Sequence, residues 1–296
     1  MGAAVNPLSF QFMQLALVSA LLVGLAAPAV GVFLVQRRLA LMGDGLGHVA
    51  LTGVALGFLL GTAPVLTAVV VATIGAVVIE LVRQQGRTSG DVALALLFYG
   101  GIAGGVLLIS LSEGGTNANL LSYLFGSLTA VSPGDAVVIA VLAGGLLLVL
   151  AVVGRALFAV CHDEEHARVM GLPVRGLNLL LAVMAALTVT VGMRVVGLLL
   201  VSALMVVPVA TAQQLVRGFR ATVAVSLAVG VLSAVGGVLG SYYADTPPGA
   251  LIVVLALAGF VLATLVGAVL RRTRRAAAAP APDDERARQP EEATTR

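Results

Sequence analysis

RRLALMGDGLGHVALTGVALGFLLGTAPVLTAVVVATIGAVVIELVR (37–83) holds two apolar runs, 45–61 and 64–83, broken by a short Gly61–Pro64 turn signal and flanked by arginines. Each run is long enough to cross a hydrocarbon core of roughly 30 Å as a helix. The same pattern continues on both sides, with further runs at 10–35, 91–111, 134–160, 176–193, 195–216, 222–243 and 248–270. Composition agrees: 59% of the 296 residues are hydrophobic, 10% are charged, and mean hydropathy is +1.08. The solvent for most of such a chain is lipid. The expected fold is all-α, a polytopic membrane protein with about nine transmembrane helices, eight or nine depending on how 176–216 is divided. A single transmembrane domain is expected over 1–275. The stretch 276–296 mixes alanine, proline and charge without apolar periodicity, and a disordered cytoplasmic tail is expected there.

Arginine placement orients the chain. Arg37 and Arg38, Arg83 and Arg87, Arg155 with Arg168 and Arg175, Arg217 and Arg220, and the run Arg271–Arg275 fall in alternate connections. The opposite connections carry Glu113, Asp135 and Asp245, with Arg194 as their one basic residue. The positive-inside rule then puts the N-terminus outside and the C-terminus in the cytoplasm of a cell-membrane protein, and requires an odd number of spans. Residues 1–9 lack a basic stretch, so the first run reads as a retained helix and not a signal peptide.

Several chemistries are excluded. The net charge of +3 is spread as punctuation between apolar runs, which is not a nucleic-acid surface. Cys161 is the lone cysteine, so neither an internal disulfide nor a Cys-x-x-Cys metal site exists. All 17 basic residues are arginine. Without lysine there is no phosphate-binding Walker A loop and no retinal Schiff base. If ATP drives this protein, another polypeptide hydrolyses it; no catalytic residues are assigned and no nucleophile–base set is visible.

Asp44 and His48 stand apart from the other ionisable residues because they lie just inside an apolar run. At i and i+4 on a helix they share a face. A titratable group at membrane depth is a functional candidate by default, and carboxylate with imidazole suits divalent first-row metals. Asp44 also follows Gly43 at the start of its run, where it would serve equally well as a helix cap beside the positive dipole end. Both readings stand on spacing alone, and two donors need a second subunit, water or other helices to complete a metal site.

The second charged cluster is CHDEEHARVMGLPVRG (161–176). Cys161, His162, Asp163, Glu164, Glu165 and His166 invite a metal-sensor reading. A solvated amphipathic helix gripped by a partner, closed by a Gly171–Pro173 stop, is the favoured one. Glu80 is expected to snorkel or to pair with Arg83 at i+3. Asp91 is expected to cap the fourth span, and 112–133 to form a short outer helix or re-entrant turn. Arg194 is expected to meet the outer headgroup region or a partner. Gly100 and Gly104, Gly101 and Gly105, and Gly236 and Gly240 read as close-packing faces, and Pro208 as a kink.

Several of these strings together resemble the integral-membrane permease family of zinc and manganese ABC importers. RRLALMGDGLGHVALTGVALGFLLG (37–61), SGDVALALLFYGGIAGGVLLIS (89–110), NLLSYLFGSLTAVSPGD (119–135) and DEEHARVMGLPVRGLNLLLAVMAALTVTVGMRVVGLLLVSALMVVPVATA (163–212) carry the resemblance, which covers roughly 10–270. It implies a homodimeric permease with two cytoplasmic ATP-binding subunits and an extracytoplasmic metal-binding protein. It implies that 163–171 is a coupling helix seated on the ATPase, with Asp163, Glu164, Glu165, Ala167, Arg168 and Gly171 at matching positions. It places Asp44 and His48 on the metal path, the metal (Zn²⁺ or Mn²⁺, with Fe²⁺ third) being cargo and no cofactor resident. His162 departs from the family, which more often has an aromatic residue there. The competing class is an ion-coupled secondary carrier or channel without an ATPase. Such a carrier should show several charges near mid-membrane, and this chain has few.

Overall fold

The structure is a computed structural model that describes residues 9–86, 90–111, 123–127 and 131–277. The part of the expected disordered tail 276–296 from 278 onward, the side chain of Asp91, and 112–122 and 128–130 of the expected outer element 112–133 lie outside these described residues, whereas 276 and 277 continue the last helix and 123–125 are helical. The rest is helical: α1 Gln11–Gln36, α2 Met42–Leu59, α3 Pro64–Gln84, α4 Gly90–Leu111, α5 Pro133–His162, α6 Glu164–Val169, α7 Val174–Gly192, α8 Leu198–Leu215, α9 Phe219–Ala244 and α10 Pro248–Ala277. Prolines open α3, α5 and α10 at positions where the missing N–H is not needed. A capping box starts α5, in which the Asp135 N–H donates to Ser132 Oγ and the Ser132 N–H donates to Asp135 Oδ2, each at 3.1 Å.

Among the described residues, eight helices are long and apolar enough to cross a membrane, and Leu200–Leu215 of α8 is a shorter apolar helix. Contacts at the two ends decide what α8 does. At one end, Arg37 reaches Glu164, Gln84 reaches the Arg175 carbonyl, and Phe219 packs on both Phe33 and Phe158. At the other, Arg194 pairs with Asp135, Phe58 meets Tyr123, and Phe10 meets Tyr242. Helix α8 leaves from beside Arg194 and finishes beside Phe219, so it traverses the same thickness as its neighbours. The nine long helices among the described residues therefore run alternately between an Arg37 end and an Arg194 end.

Helices α1, α2, α7 and α8 form the interior. The other long helices surround them and turn side chains such as Leu96, Val106, Val141, Leu148, Leu232 and Leu262 outward. Without a hydrophobic drive between helices in lipid, close van der Waals contact through small residues must hold the bundle. The inward face of α1 accordingly carries Ala16, Ala20, Gly24, Ala27 and Gly31. Gly101, Gly104 and Gly105 of α4 meet His48, Leu51 and Thr52 of α2, and Gly236, Gly237 and Gly240 of α9 meet α10. Gly100 is the exception, with open space around it.

Gly31 makes the closest approach that bears on the site's architecture, since a methyl there would overlap the Met205 carbonyl of α8. Gly31→Ala is expected to cost about 1–3 kcal/mol by overpacking, seen as a lowered unfolding midpoint in detergent. Gly144→Ala, at a position inside α5 with nothing within 4 Å, should leave the midpoint no lower, alanine being the better helix former. Equal midpoints for the two variants would refute the close α1–α8 contact.

Glu80 behaves as expected of a charge at a helix end. It is 1% exposed, and Arg83 grips both its oxygens at 2.8 Å. Gln84 links the pair onward, donating to Glu80 Oε1 at 2.9 Å and to the Arg175 carbonyl at 3.1 Å, which fastens α3 to the start of α7.

Candidate functional site

Helix α2 begins at Met42, three residues before the apolar run begins in the sequence. Tertiary packing accounts for the extension. Gly43 lies against Ser202 and Met205 of α8, Gly45 against Leu97 of α4, and Gly47 against Leu198. Glycine is a poor helix former, but here its lack of a side chain lets three helices close around the stretch. Asp44 consequently sits inside the first turn. The N-cap is Leu41, with no side-chain cap bond, so the capping alternative for Asp44 is not realised. Its position still suits a carboxylate, since the first turn is the positive end of the helix dipole.

The half-buried Asp44 carboxylate accepts a hydrogen bond from Ser202 Oγ at 3.4 Å, which joins α2 to α8. One turn on, the His48 ring stands edge-to-face against Phe98 of α4, with centroids 4.5 Å apart. Its Nδ1 is buried and has no hydrogen-bond partner. Buried polar atoms are nearly always satisfied, so an unpaired imidazole nitrogen asks for an occupant. Below it, Thr52 Oγ1 donates to the Gly101 carbonyl at 2.8 Å and holds α4 against the His48 turn. Asp44 and His48 form no ion pair with each other among the described residues. Nor does any group of three or more His, Cys, Asp or Glu side chains gather there to hold a metal ion. One copy thus offers two strong donors on one face, with Ser202 orienting the first.

Ser202 and Phe98 were not legible as neighbours of the site. Both sit in strongly apolar helices, and only the packing of α2 between α4 and α8 brings them to it.

At the Arg37 end the short helix α6 is built as a rigid projection. The Asp163 carboxylate caps it by accepting from the His166 N–H at 2.9 Å, Ala167 is buried, and Gly171 at φ 80° turns the chain toward α7. Glu164 accepts from Arg37 at 2.6 Å and from Arg168 at 3.2 Å, while Arg37 also donates to the Val160 carbonyl at 3.4 Å. Glu165 and Arg168 face solvent, and so do two apolar residues, Val169 at 86% and Met170 at 65% exposure. His162 stacks on Phe158, and it joins no metal-binding group among the described residues.

At the opposite end Arg194 is engaged within the chain. It reaches Asp135 at 3.3 Å and lies 5.1 Å over the Tyr123 ring. Burial pushes the Tyr123 hydroxyl above its ordinary pKa, with Arg194 opposing the shift and Asp135 adding to it. The segment 123–127, the start of α5 and the turn before α8 are thereby joined, where the sequence suggested an outward-facing arginine.

The sequence profile of the ABC 3 transport family matches residues 9–267. The chain belongs to that family. Its relatives include the manganese transport system membrane protein MntC of Halalkalibacterium halodurans, 34% identical over 256 residues, which are 86% of this chain and 87% of that one. The high-affinity zinc uptake system membrane protein ZnuB of Haemophilus influenzae is 30% identical over 256 residues, covering 86% of this chain and 97% of the relative. Among solved structures, PsaBC from Streptococcus pneumoniae in complex with Fab superposes with a TM-score of 0.78 at 30% identity, over 86% of this chain and 92% of that chain. As an ABC 3 family member the chain is a multi-pass transport permease, and its bundle is that of the family.

Proposed function

We propose that this permease imports a divalent transition metal, Mn²⁺ or Zn²⁺ with Fe²⁺ as a further candidate, along a path lined by Asp44 and His48. The observation that carries the reading is the buried, unpartnered His48 Nδ1 one turn from the Asp44 carboxylate. Neutral imidazole and ionised carboxylate are the donor forms a divalent cation takes. A second copy of the chain would bring a second Asp44–His48 pair, making four donors, which supports a homodimer. Helix α6 would seat on a separate ATP-binding subunit, with Asp163, Glu164, Glu165, Ala167, Arg168 and Gly171 shaping the contact. The Arg194 end would receive metal from an extracytoplasmic binding protein. ATP-driven exposure of the path to each side in turn would move the cation inward. The test is metal content and radiometal uptake of cells with and without the gene. Uptake of one of these cations should collapse in the deletion strain, whereas uptake independent of any ATPase would favour a secondary carrier.

The arginine pattern supports an outer N-terminus and a cytoplasmic C-terminus. With Cys161 replaced, a cysteine at Asp245 should react with an impermeant thiol reagent applied outside, and one at Arg272 should not. Labelling of both from one side would sink the nine-crossing topology.

A further inference from the structure

A cleft of about 580 Å³ at the Arg37 end is lined by no residue of the Asp44–His48 face or of α6. Its wall on one side is α5, through Gly154, Arg155 and Phe158, and on the other the α8–α9 turn, through Arg217, Gly218, Phe219, Arg220 and Ala221. The Phe33 ring of α1 packs behind this wall, meeting Phe219 edge-on at 5.6 Å. Three guanidinium groups converge here. Arg155, Arg217 and Arg220 are all exposed, and none makes an ion pair or side-chain hydrogen bond among the described residues. Arg37, Arg83, Arg168 and Arg194 are each paired with a carboxylate, and Arg38 and Arg175, exposed and likewise without an ion pair among the described residues, do not line this cleft.

We propose that this cleft binds the headgroup phosphate of an anionic phospholipid from the leaflet at the Arg37 end. Two independent observations select lipid over a protein partner. The first is charge complementarity: three uncompensated arginines, able to present paired N–H donors, suit a phosphate. The second is what continues from the cleft toward mid-membrane. Val141, Leu148, Val152 and Arg155 lie on one stripe of α5 at helical spacing, and Leu148 and Val152 are 66% and 75% exposed. An acyl chain would lie along that apolar stripe while its phosphate met the arginines. Basic pockets between transmembrane helices at one membrane face are where such headgroups are held. Bound there, the lipid would join the end of α5 to the start of α9, two helices that meet at this end through Phe158 and Phe219.

The test uses native mass spectrometry of the detergent-purified permease, with and without its ATPase partner. Phosphatidylglycerol or phosphatidylcholine is titrated in, and inorganic phosphate is added as a competitor. Phosphatidylglycerol should be retained in preference to phosphatidylcholine, and Arg155→Gln/Arg217→Gln/Arg220→Gln should lose retention on the order of 100-fold. Arg38→Gln/Arg175→Gln, which removes exposed charge elsewhere at the same end, should leave retention near the parent value, and millimolar phosphate should not compete. Equal loss in the Arg38/Arg175 variant would mean general electrostatic attraction and overturn the proposal. Displacement by inorganic phosphate would overturn it in favour of a free-anion site. Loss of bound lipid when the ATPase subunit docks would overturn it in favour of a protein contact.

Discussion

Asp44→Asn should reduce radiometal uptake by about 100-fold or more in vesicles containing the purified complex at matched expression. Loss of a metal site's supporting groups alone typically costs 10–100-fold, and a direct ligand should cost at least as much. The substitution is nearly isosteric and retains an acceptor for Ser202, so the fold, the start of α2 and assembly with the ATPase should survive. What it removes is the negative charge. His48→Ala should fail to a similar degree, because it deletes an imidazole donor atom that is buried without a partner. Ser202→Ala should be milder, about 10-fold, since Ser202 orients the carboxylate across a 3.4 Å contact and does not supply a strong ligand itself. Uptake should also decline as pH falls through the range in which an imidazole gains its proton, because His48⁺ has no lone pair to offer and adds a positive charge against the cation. Near-normal uptake in both Asp44→Asn and His48→Ala would remove the metal path from α2 altogether.

Val169→Asp/Met170→Asp should abolish metal-stimulated ATP hydrolysis by the assembled transporter, a loss of about tenfold or more against unstimulated activity, while leaving the permease folded. Both side chains, at the end of α6, project into solvent, and exposed substitutions away from special features usually change stability by less than about 0.5 kcal/mol. Their apolar surface is what a partner groove would cover. Charge reversal at Glu164 and Arg168, the substitution that the acidic-Ala-Arg string suggests, is a less selective probe. Glu164 also holds Arg37, whose side chain is 9% exposed against 39% for Glu164. Stranding that arginine should cost about 1–3 kcal/mol, below the range for a fully buried pair because solvent reaches Glu164. The exchange Arg37→Glu/Glu164→Arg separates the two effects. It should recover detergent stability, leaving any remaining loss of ATP hydrolysis to the docking surface. Full metal-stimulated hydrolysis in the Val169/Met170 variant would rule out α6 as the coupling element.

Much of the architecture was legible because a bilayer imposes a simple rule. Every backbone polar group at membrane depth must be satisfied within its own helix, so an apolar run of sufficient length is a helix. The runs at 64–83, 134–160 and 222–243 each match an observed helix to within a few residues. The pairing of Glu80 with Arg83 was legible for a related reason, since both partners lie one turn apart on one helix. Arg194 was not, because its partners Asp135 and Tyr123 are remote in sequence and meet it only where three connections converge. The short α8 was ambiguous for the opposite reason: its length alone says little, and only its neighbours at each end show that it crosses.

The amino-acid sequence by itself determined that this chain is a bundle of membrane-crossing helices, that its arginines mark alternate connections, and that Asp44 and His48 share a helical face. These are local properties, set by transfer free energies and by the 3.6-residue repeat, and they need no knowledge of distant residues. Tertiary structure alone decided that the glycine-rich stretch around Asp44 becomes the first turn of α2 and not its cap, because α4 and α8 close on Gly43, Gly45 and Gly47. It also decided that Ser202 reaches Asp44, that Arg37 holds Glu164, and that three arginines from separate elements face one cleft. Each of these joins residues far apart in the chain, and such meetings depend on how the helices pack, which no local pattern encodes.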